Sequence, residues 1–208
     1  MYTLYTAPDC GSFVAHALMD EAGADYRLVE IDIAKREHKS KAYLKVNPMG
    51  TIPALDVGRG RIMTESAAMV IYLVDRFPKA GLGPPPDAPE RPAFLSWLVF
   101  LAVNTYQAKH REYRPEWYTT VPEECEGLRA AAARQIDDQF ATIDEALGGS
   151  RYLAGAHRSA ADLYLLMIAC WHDEPSRLFD ACPNVARVCD EERGREDNAR
   201  LNEFYKLW

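Results

Sequence analysis

The sequence predicts a mixed α/β domain followed by an all-helical domain, and three observations support this fold class. Strand and helix patterns alternate within residues 1–78, whereas every pattern within residues 90–208 is helical. Between them, residues 79–89 contain two glycines and the run Pro84-Pro85-Pro86, which excludes a helix or a central strand. The predicted boundaries are therefore 1–78 for the first domain, 79–89 for a linker and 90–208 for the second domain. A chain of 208 residues is long enough for two such domains.

The order of short patterns in the first domain predicts its topology. Residues 2–6 are apolar and aromatic, which is typical of a strand, and residues 13–22 have helical spacing that ends at Gly23. Residues 26–33 alternate apolar and charged side chains, which predicts a half-buried strand. A charged loop with a short helix (35–45), two short strands around the turn Gly58-Arg59-Gly60 and a helix ending at Phe77-Pro78 follow. The resulting order, β-α-β-α-β-β-α, is that of an α/β thioredoxin-like domain, in which a parallel pair is extended by an antiparallel hairpin.

Helical spacing dominates the second, all-α domain. A long aromatic-rich helix is predicted from residue 90 to about residue 111, followed by a loop at 113–121. Ser159, followed three residues later by Asp162, predicts a capping box at the start of an apolar helix. Shorter charged helices are predicted within 184–205. The helix predicted at 123–147 places six apolar side chains on one face: Leu128, Ala132, Ile136, Phe140, Ile143 and Leu147.

Composition disfavours several classes of protein. The formal net charge of −7 argues against a nucleic-acid-binding surface. No apolar run approaches the roughly 20 residues of a membrane-spanning helix, and residues 1–5 lack the features of a signal peptide. The five cysteines are odd in number and form no CxxC pair, which disfavours a disulfide framework or a zinc site. We therefore expect a cytoplasmic protein with reduced thiols, no bound metal, no nucleic-acid partner and no membrane association.

The most informative stretch contains a proline-bearing loop (residues 47–55, NPMGTIPAL) and a helix start (residues 65–73, ESAAMVIYL). The Ile52–Pro53 bond precedes a short strand, and an X–Pro bond can be cis at modest cost. A helix start of the form Glu65-Ser66 offers N–H groups, a positive dipole end and a hydroxyl, which together suit a ligand carboxylate. A loop that can pair with an extended peptide, beside such a helix start, indicates a small anionic peptide as ligand.

In this order and spacing, the two motifs resemble those of the glutathione S-transferase family, which has an N-P-x-G-x-(I/V)-P-x-L loop and an E-S-x-A-(I/M)-x-x-Y-L helix start. The resemblance covers the whole chain as a cytosolic glutathione transferase architecture. It is strongest in residues 1–78 and closest to the bacterial beta and theta-like classes. It implies glutathione as co-substrate, a small hydrophobic electrophile as second substrate, and a homodimer. Alternative activities on this fold are isomerase, dehalogenase and disulfide reductase, and some proteins of this fold are non-catalytic binding modules.

The resemblance also implies a set of glutathione-binding residues. Glu65 and Ser66 are expected to bind the γ-glutamyl group, the carboxylate on the Ser66 hydroxyl and N–H and the amine near Glu65. Ile52 is expected to pair through its backbone with the cysteinyl part, beside a cis proline. Lys35 is a candidate for the glycyl carboxylate, with His38 as the alternative. The predicted set is Lys35, Thr51, Ile52, Pro53, Glu65 and Ser66.

The glutathione thiol must also become a thiolate, because the thiolate is the nucleophile. A free thiol titrates near pH 8.5, so its pKa must fall by about two units, which corresponds to roughly 2.7 kcal/mol. The donor that stabilises the thiolate must lie at the turn between the first strand and the first helix, where Cys10 and Ser12 are the candidates. Aligning the helix end with the beta class puts Ser12 on its serine but Gly11 on its cysteine, so both candidates stay open. A Cys10 thiol facing the ligand would permit a mixed disulfide and favour reductase chemistry.

The electrophile is expected to lie against the first long helix of the second domain. Tyr106 falls where beta-class relatives have a histidine that approaches the thiol. Its hydroxyl is a candidate donor to a developing oxyanion or leaving group, and we include it among the catalytic residues. The alternative is a tyrosine that packs in the core. Trp97, Trp117 and Trp171 are expected to pack rather than to bind.

Overall fold

The computed structural model describes residues 1–208 and divides into two compact units. The first unit contains residues 1–86 together with residues 193–208, and the second contains residues 87–192. The C-terminal segment is therefore part of the first unit, although the second unit precedes it in the sequence. The domain boundaries expected at residues 78 and 90 stay a prediction.

The first unit contains a four-stranded mixed sheet in the order β2-β1-β3-β4. β1 and β2 are parallel, and the β1–β3 and β3–β4 pairs are antiparallel, so the predicted topology is confirmed. The second strand was expected to reach residue 33 but ends at Glu30; Ile31 is still buried, whereas Ile33 is 46% exposed and breaks the alternation. The strands are β1 (Tyr2–Thr6), β2 (Tyr26–Glu30), β3 (Ala54–Asp56) and β4 (Ile62–Met63).

Helices account for most of the remaining structure. The short helix expected within residues 35–45 is instead two 3₁₀ turns, Glu37–Lys39 and Tyr43–Lys45. No helix combines the length and the apolar character needed to cross a bilayer. The α-helices are α1 (Ser12–Glu21), α2 (Ser66–Arg76), α3 (Arg91–Phe100), α4 (Tyr106–Tyr113), α5 (Cys125–Gly148), α6 (Ala160–Cys170), α7 (Pro175–Ala181), α8 (Pro183–Arg193) and α9 (Glu196–Tyr205).

Helix α1 lies in the interior of the first unit, where it contacts β1, α2 and α9. All side chains from residue 12 to residue 19 are buried. On α9, the Tyr205 ring packs edge-on against Phe13, with ring centroids 5.4 Å apart. Along β1, Leu4 and Thr6 are completely buried while Tyr5 is half-buried, as expected for side chains that alternate between two faces. Thr6 therefore faces α1 and α9, and Tyr5 faces the opposite side of the sheet.

The second unit is all helical, as predicted. Its first long helix is interrupted by a π-helical turn at Leu101–Thr105, a feature that often lies at functional sites. The capping box at the start of α6 is confirmed: the Ser159 side chain accepts a hydrogen bond from the Ala161 N–H, and Asp162 accepts one from the Ser159 N–H at 2.8 Å. Five of the six predicted face residues of α5 are buried, namely Ala132, Ile136, Phe140, Ile143 and Leu147.

Candidate functional site

The turn between β1 and α1 places Cys10 directly before the helix, whose N-cap residue is Gly11. The Cys10 side chain is 8% exposed, and its Sγ lies 3.0 Å from the Ala7 carbonyl oxygen and 2.8 Å from Ser12 Oγ. Burial raises the pKa of Cys10, and the hydrogen bond from the backbone N–H of Ser12 offsets only part of that rise. Cys10 is therefore a neutral thiol near neutral pH, better suited to donate a hydrogen bond than to act as a nucleophile.

Ser12 lies deeper in the first unit than Cys10. Its side chain has no exposed surface, and its hydroxyl is 2.6 Å from Thr6 Oγ1 as well as 2.8 Å from Cys10 Sγ. Both contacts are to protein groups, so the hydroxyl is occupied within the chain. Of the two candidates proposed from the sequence, only Cys10 retains any exposed surface.

The loop that precedes β3 is fixed by side-chain hydrogen bonds. Asn47 is completely buried, and its Nδ2 donates to the Thr51 carbonyl oxygen (2.8 Å) and to Thr51 Oγ1 (3.1 Å). The Tyr43 hydroxyl donates to the same carbonyl at 2.8 Å. Gly50 has a φ of +59°, and a Cβ there would lie 2.8 Å from the His38 carbonyl oxygen, so the position requires glycine. The loop is thus held in one conformation before any ligand binds.

The backbone of Ile52 lies just outside the sheet. The Ile52–Pro53 peptide bond is cis, as the resemblance implied. The β1–β3 ladder ends at the pair formed by Tyr5 and Ala54, and no hydrogen bond within the chain engages the Ile52 backbone. Its N–H and carbonyl are therefore available to an extended, peptide-like ligand, which would pair with Ile52 as an added strand beyond the end of β1.

Three segments lie close together at this end of the sheet: the turn after β1, the loop before β3 and the start of α2. Because β1 and β3 are antiparallel, the end of β1 that leads to Cys10 lies beside the start of β3. In the β3–β4 pair, Leu55 lies opposite Met63, which is two residues before Glu65 at the start of α2. Tyr43 links the first two segments, because it bonds to Thr51 and lies near the Cys10 sulfur. Burial raises the pKa of Tyr43 to about 12, and the neighbouring Cys10 adds to that rise.

The start of α2 is suited to bind an anionic acceptor. Its N-cap residue, Glu65, has an exposed side chain and a φ of 66°, a conformation that is costly for a residue other than glycine and recurs at ligand sites. No side chain caps the helix, and Ser66 at its first position is 8% exposed. Since the first N–H groups of a helix lack intrahelical acceptors and form the positive end of its dipole, this end favours a carboxylate.

The basic residues of the 35–45 segment have different partners in the structure. Lys35 is exposed and forms an ion pair with Asp32 at 2.8 Å. Lys39, which the sequence analysis missed, donates from Nζ to the Met49 carbonyl oxygen at 3.2 Å and so contacts the loop directly. The Nδ1 atom of His38 is buried without a hydrogen-bond partner, and burial lowers the pKa of this histidine. Lys39 is therefore the cation attached to the loop that contains Thr51.

The second unit contains a cluster of aromatic side chains around Tyr106. Tyr106 begins α4 directly after the π-helical turn, and its ring lies 5.0 Å from His110 and 5.0 Å from Trp171, measured between ring centroids. His110 lies 6.0 Å from Trp117, and burial lowers the pKa of His110, so this histidine is neutral at neutral pH. Tyr106, His110 and Trp171 are half-buried and present an aromatic surface that suits an apolar ligand.

Two buried residues support the Cys10 turn through a contact that the sequence did not reveal. Thr6 Oγ1 lies 2.9 Å from the Tyr205 hydroxyl, and both side chains are completely buried. The Tyr205 carbonyl accepts a hydrogen bond from the Asp9 N–H at 2.9 Å. Thr6 and Tyr205 are 199 residues apart, so no local pattern could have revealed their contact. No group of three or more potential metal-binding side chains is present.

The strand order and the loop-to-helix junction define the first unit as a thioredoxin-like domain, and the second unit is an all-α domain, so the predicted fold class is confirmed. Two family models match the sequence: the N-terminal domain of glutathione S-transferases over residues 1–75, and their C-terminal domain over residues 95–195. The chain belongs to the glutathione S-transferase family.

Individual relatives are similar over most of their length. Glutathione S-transferase GstA of Escherichia coli O157:H7 is 28% identical over 81% of each chain. The disulfide-bond oxidoreductase YfcG of Escherichia coli K12 is 27% identical over 82% of this chain and 78% of its own. Among solved structures, a glutathione transferase homolog from Sulfitobacter with bound glutathione superimposes with a TM-score of 0.89 at 26% identity, covering 98% of this chain and 97% of its own.

Proposed function

We propose that the protein is a glutathione S-transferase, in which the thiolate of bound glutathione attacks a small hydrophobic electrophile. The observation that supports this most strongly is that an unpaired Ile52 backbone and the uncapped start of α2 both lie at the end of the sheet where β3 begins. In the proposed complex, the cysteinyl backbone pairs with Ile52 beside Pro53. The γ-glutamyl carboxylate binds the Ser66 end of the helix, and its amine binds Glu65. The glutathione bound to the Sulfitobacter homolog supports glutathione as co-substrate.

Cys10 is the proposed donor to the glutathione thiolate. Its neutral thiol and its place in the turn before α1 favour this role, and the nearby start of that helix adds a positive dipole end. Ser12 acts behind it, through its hydrogen bond to the Cys10 sulfur. Lys39, bound to the loop that contains Thr51, is a better placed partner for the glycyl carboxylate than Lys35, which is paired with Asp32.

The second unit supplies the proposed surface for the electrophile. Tyr106 remains the candidate donor to a developing oxyanion, and the aromatic side chains around it favour a hydrophobic substrate. We further propose that the protein acts as a homodimer in the cytoplasm. Both expectations follow from its membership of the family rather than from any contact within this chain.

Disulfide reduction is the second candidate activity. The reaction would begin when a Cys10 thiolate attacks one sulfur of a glutathione disulfide, forming a mixed disulfide and releasing one glutathione thiolate. The position of Cys10 in the turn after β1 and the resemblance to YfcG favour this activity. The burial that keeps Cys10 protonated opposes it, because only the thiolate is nucleophilic.

The test combines binding with turnover. The wild-type protein should be retained on immobilised glutathione and should conjugate a chlorodinitrobenzene substrate. Ser66→Ala should weaken binding about tenfold, because it removes a hydrogen bond to a charged group. Ser176→Ala, at an exposed position near the start of α7, is the matched control and should bind like the wild type.

The other outcomes of the binding and turnover tests distinguish the alternative functions. A wild-type protein that is not retained on glutathione refutes the proposal. Retention without turnover points to an isomerase, a dehalogenase or a non-catalytic binding module. For the donor, Cys10→Ala should raise the pKa of the bound glutathione thiol, whereas Cys125→Ala in the second unit should leave it unchanged. An unchanged pKa in Cys10→Ala would remove Cys10 from the mechanism.

A further inference from the structure

Hydrogen bonds between side chains connect Cys10 to Asp20 without interruption. The path leads from the turn before α1 through the first residue of α1 to β1, then to α9, back to α1, to β2 and finally to α1 again. It ends at Asp20, which is also paired with Arg200 of α9. The successive contacts are Cys10 Sγ to Ser12 Oγ (2.8 Å), Ser12 Oγ to Thr6 Oγ1 (2.6 Å), Thr6 Oγ1 to Tyr205 OH (2.9 Å), Tyr205 OH to His16 Nδ1 (3.1 Å), His16 Nε2 to Tyr26 OH (3.0 Å) and Tyr26 OH to Asp20 Oδ1 (2.9 Å).

The middle of this chain of hydrogen bonds is closed to solvent. Ser12, Thr6 and Tyr205 have no exposed surface, and His16 is 5% exposed. Each hydroxyl has a single proton, so it can donate to only one of its two neighbours. Because a buried polar group left without a partner is costly, the direction of one hydrogen bond determines the direction of the next.

The carboxylate of Asp20 sets that direction. An ionised carboxylate only accepts, so Tyr26 donates to it and must itself accept from the Nε2–H of His16. Burial lowers the pKa of His16 to about 4, so the ring is neutral, and its Nδ1 is then an acceptor. Tyr205 therefore donates to Nδ1 and accepts from Thr6. By the same rule, Thr6 accepts from Ser12, and every proton points toward Asp20.

This direction commits the only proton of the Ser12 hydroxyl to Thr6. Toward Cys10, the hydroxyl therefore presents lone pairs at 2.8 Å, and the Ala7 carbonyl oxygen faces the same sulfur at 3.0 Å. Two acceptors suit a neutral S–H, which they can share, and they disfavour a negatively charged sulfur. If Ser12 turned its proton toward the sulfur, Thr6 would have to turn toward Ser12. The Thr6 and Tyr205 oxygens would then face each other at 2.9 Å with no proton between them. A thiolate at Cys10 can gain the Ser12 hydroxyl as a donor only if the whole chain reverses.

We propose that Asp20, Tyr26, His16 and Tyr205 are positioning residues that keep the Ser12 hydroxyl proton turned away from the Cys10 sulfur and so hold Cys10 as a neutral thiol. This inference rests on the proposed function only for the role of Cys10, since a neutral thiol can donate its proton to a glutathione thiolate whereas an ionised one would repel it. The other ionisable groups near Cys10 are Asp9 and Tyr43. Those near His16 are the members of the chain and Arg200.

The first test measures the tautomer of His16 by ¹⁵N NMR in the full-length protein without glutathione. The wild-type ring should have its proton on Nε2. In Asp20→Asn, the amide can donate to Tyr26, so the chain can reverse and the His16 proton should move to Nδ1. Asp197→Asn is the matched control, because Asp197 also pairs with Arg200 but is not a member of the chain. A wild-type proton on Nδ1, or an unchanged tautomer in Asp20→Asn, would overturn the assigned direction.

The second test measures the pKa of Cys10 from the pH dependence of its alkylation, followed by mass spectrometry of the Cys10 peptide. Asp20→Asn and Tyr205→Phe should each lower the midpoint by about one unit, a roughly tenfold rise in thiolate, because Ser12 becomes free to donate to the sulfur. Tyr152→Phe, which removes a tyrosine–carboxylate bond to Glu191 in the second unit, should leave the midpoint unchanged.

The midpoint distinguishes the proposal from simple loosening of the fold. A looser turn would raise the maximal alkylation rate without moving the midpoint, and that result would refute the positioning role. If Tyr205→Phe does not fold, Asp20→Asn still tests the positioning role, since Asp20 lies at the far end of the hydrogen-bond chain from Cys10. Neither measurement uses glutathione, so the inference can fail while the proposed function stands, and the reverse also holds.

Discussion

Acidification should destabilise the first unit through His16. This side chain is 5% exposed, and burial lowers its pKa from 6.5 to about 4. The folded state therefore binds fewer protons than the unfolded state between these two values. The stabilisation is fully present above about pH 6.5 and is lost as the pH falls toward about 4. With these two pKa values, the loss is about 2 kcal/mol between pH 7 and pH 5 and about 3 kcal/mol by pH 4.

Hydrogen exchange of the α1 amides, corrected for the intrinsic pH dependence of exchange, reports the opening free energy of the first unit. His16→Gln removes the titrating group, so between pH 7 and pH 5 it should lose about 2 kcal/mol less stability than the wild type. His157→Gln is the control, because His157 is exposed, and it should behave like the wild type. A wild-type loss that equals the loss of His16→Gln would show that His16 is not buried in its neutral form.

Three further predictions concern backbone conformation and capping. Glu65→Gly should raise stability by about 1 kcal/mol, because glycine tolerates the φ of 66°, and yet weaken retention on glutathione; thermal unfolding and affinity chromatography measure the two effects. Gly50→Ala should destabilise the first unit by roughly 2 kcal/mol, since a methyl group at a φ of +59° would meet the His38 carbonyl oxygen, and unchanged thermal stability would contradict this. Ser159→Ala should lower the stability of the second unit by about 1–2 kcal/mol in urea unfolding, without changing retention on glutathione.

Local sequence patterns were sufficient for most of the fold. The apolar run at residues 2–6 corresponds to β1, and the spacing between Ser159 and Asp162 identified a capping box that the structure contains. Both features depend on neighbouring residues alone. The π-helical turn at Leu101–Thr105 could not be predicted in this way, because the apolar pattern continues through it and suggested one uninterrupted helix.

The 35–45 segment shows a second limit of local pattern. Its charged composition suggested a loop with a short helix, and it forms two 3₁₀ turns. Its role depends on contacts outside the segment: Tyr43 bonds to the Thr51 carbonyl, and Lys39 bonds to that of Met49. From the sequence, the candidates were Lys35 and, as the alternative, His38. Only the contacts in the structure point to Lys39, which bonds to the loop backbone whereas Lys35 pairs with Asp32.

The candidate site was predictable where it depends on motif and not where it depends on tertiary contact. The loop and the start of α2 followed from their residue order. Cys10 and Ser12 could not be separated by position, because they are two residues apart in a turn. What separates them is the surroundings of Ser12, which is enclosed by Thr6 and, beyond it, by Tyr205 from the last helix of the chain.

The protonation state of Cys10 therefore bears on the reaction as well as on the site. A thiol with a pKa of 8.5 or above is less than about 5% ionised at pH 7, so as a nucleophile toward disulfides it would be slow. As a hydrogen-bond donor to the thiolate of glutathione, the same group would be in its active form almost all the time. Because burial raises the pKa of Cys10 and the hydrogen bonds that end at Asp20 turn the Ser12 proton away from it, both features act in the same direction. They favour a transferase in which the sulfur of glutathione, and not that of Cys10, makes the new bond.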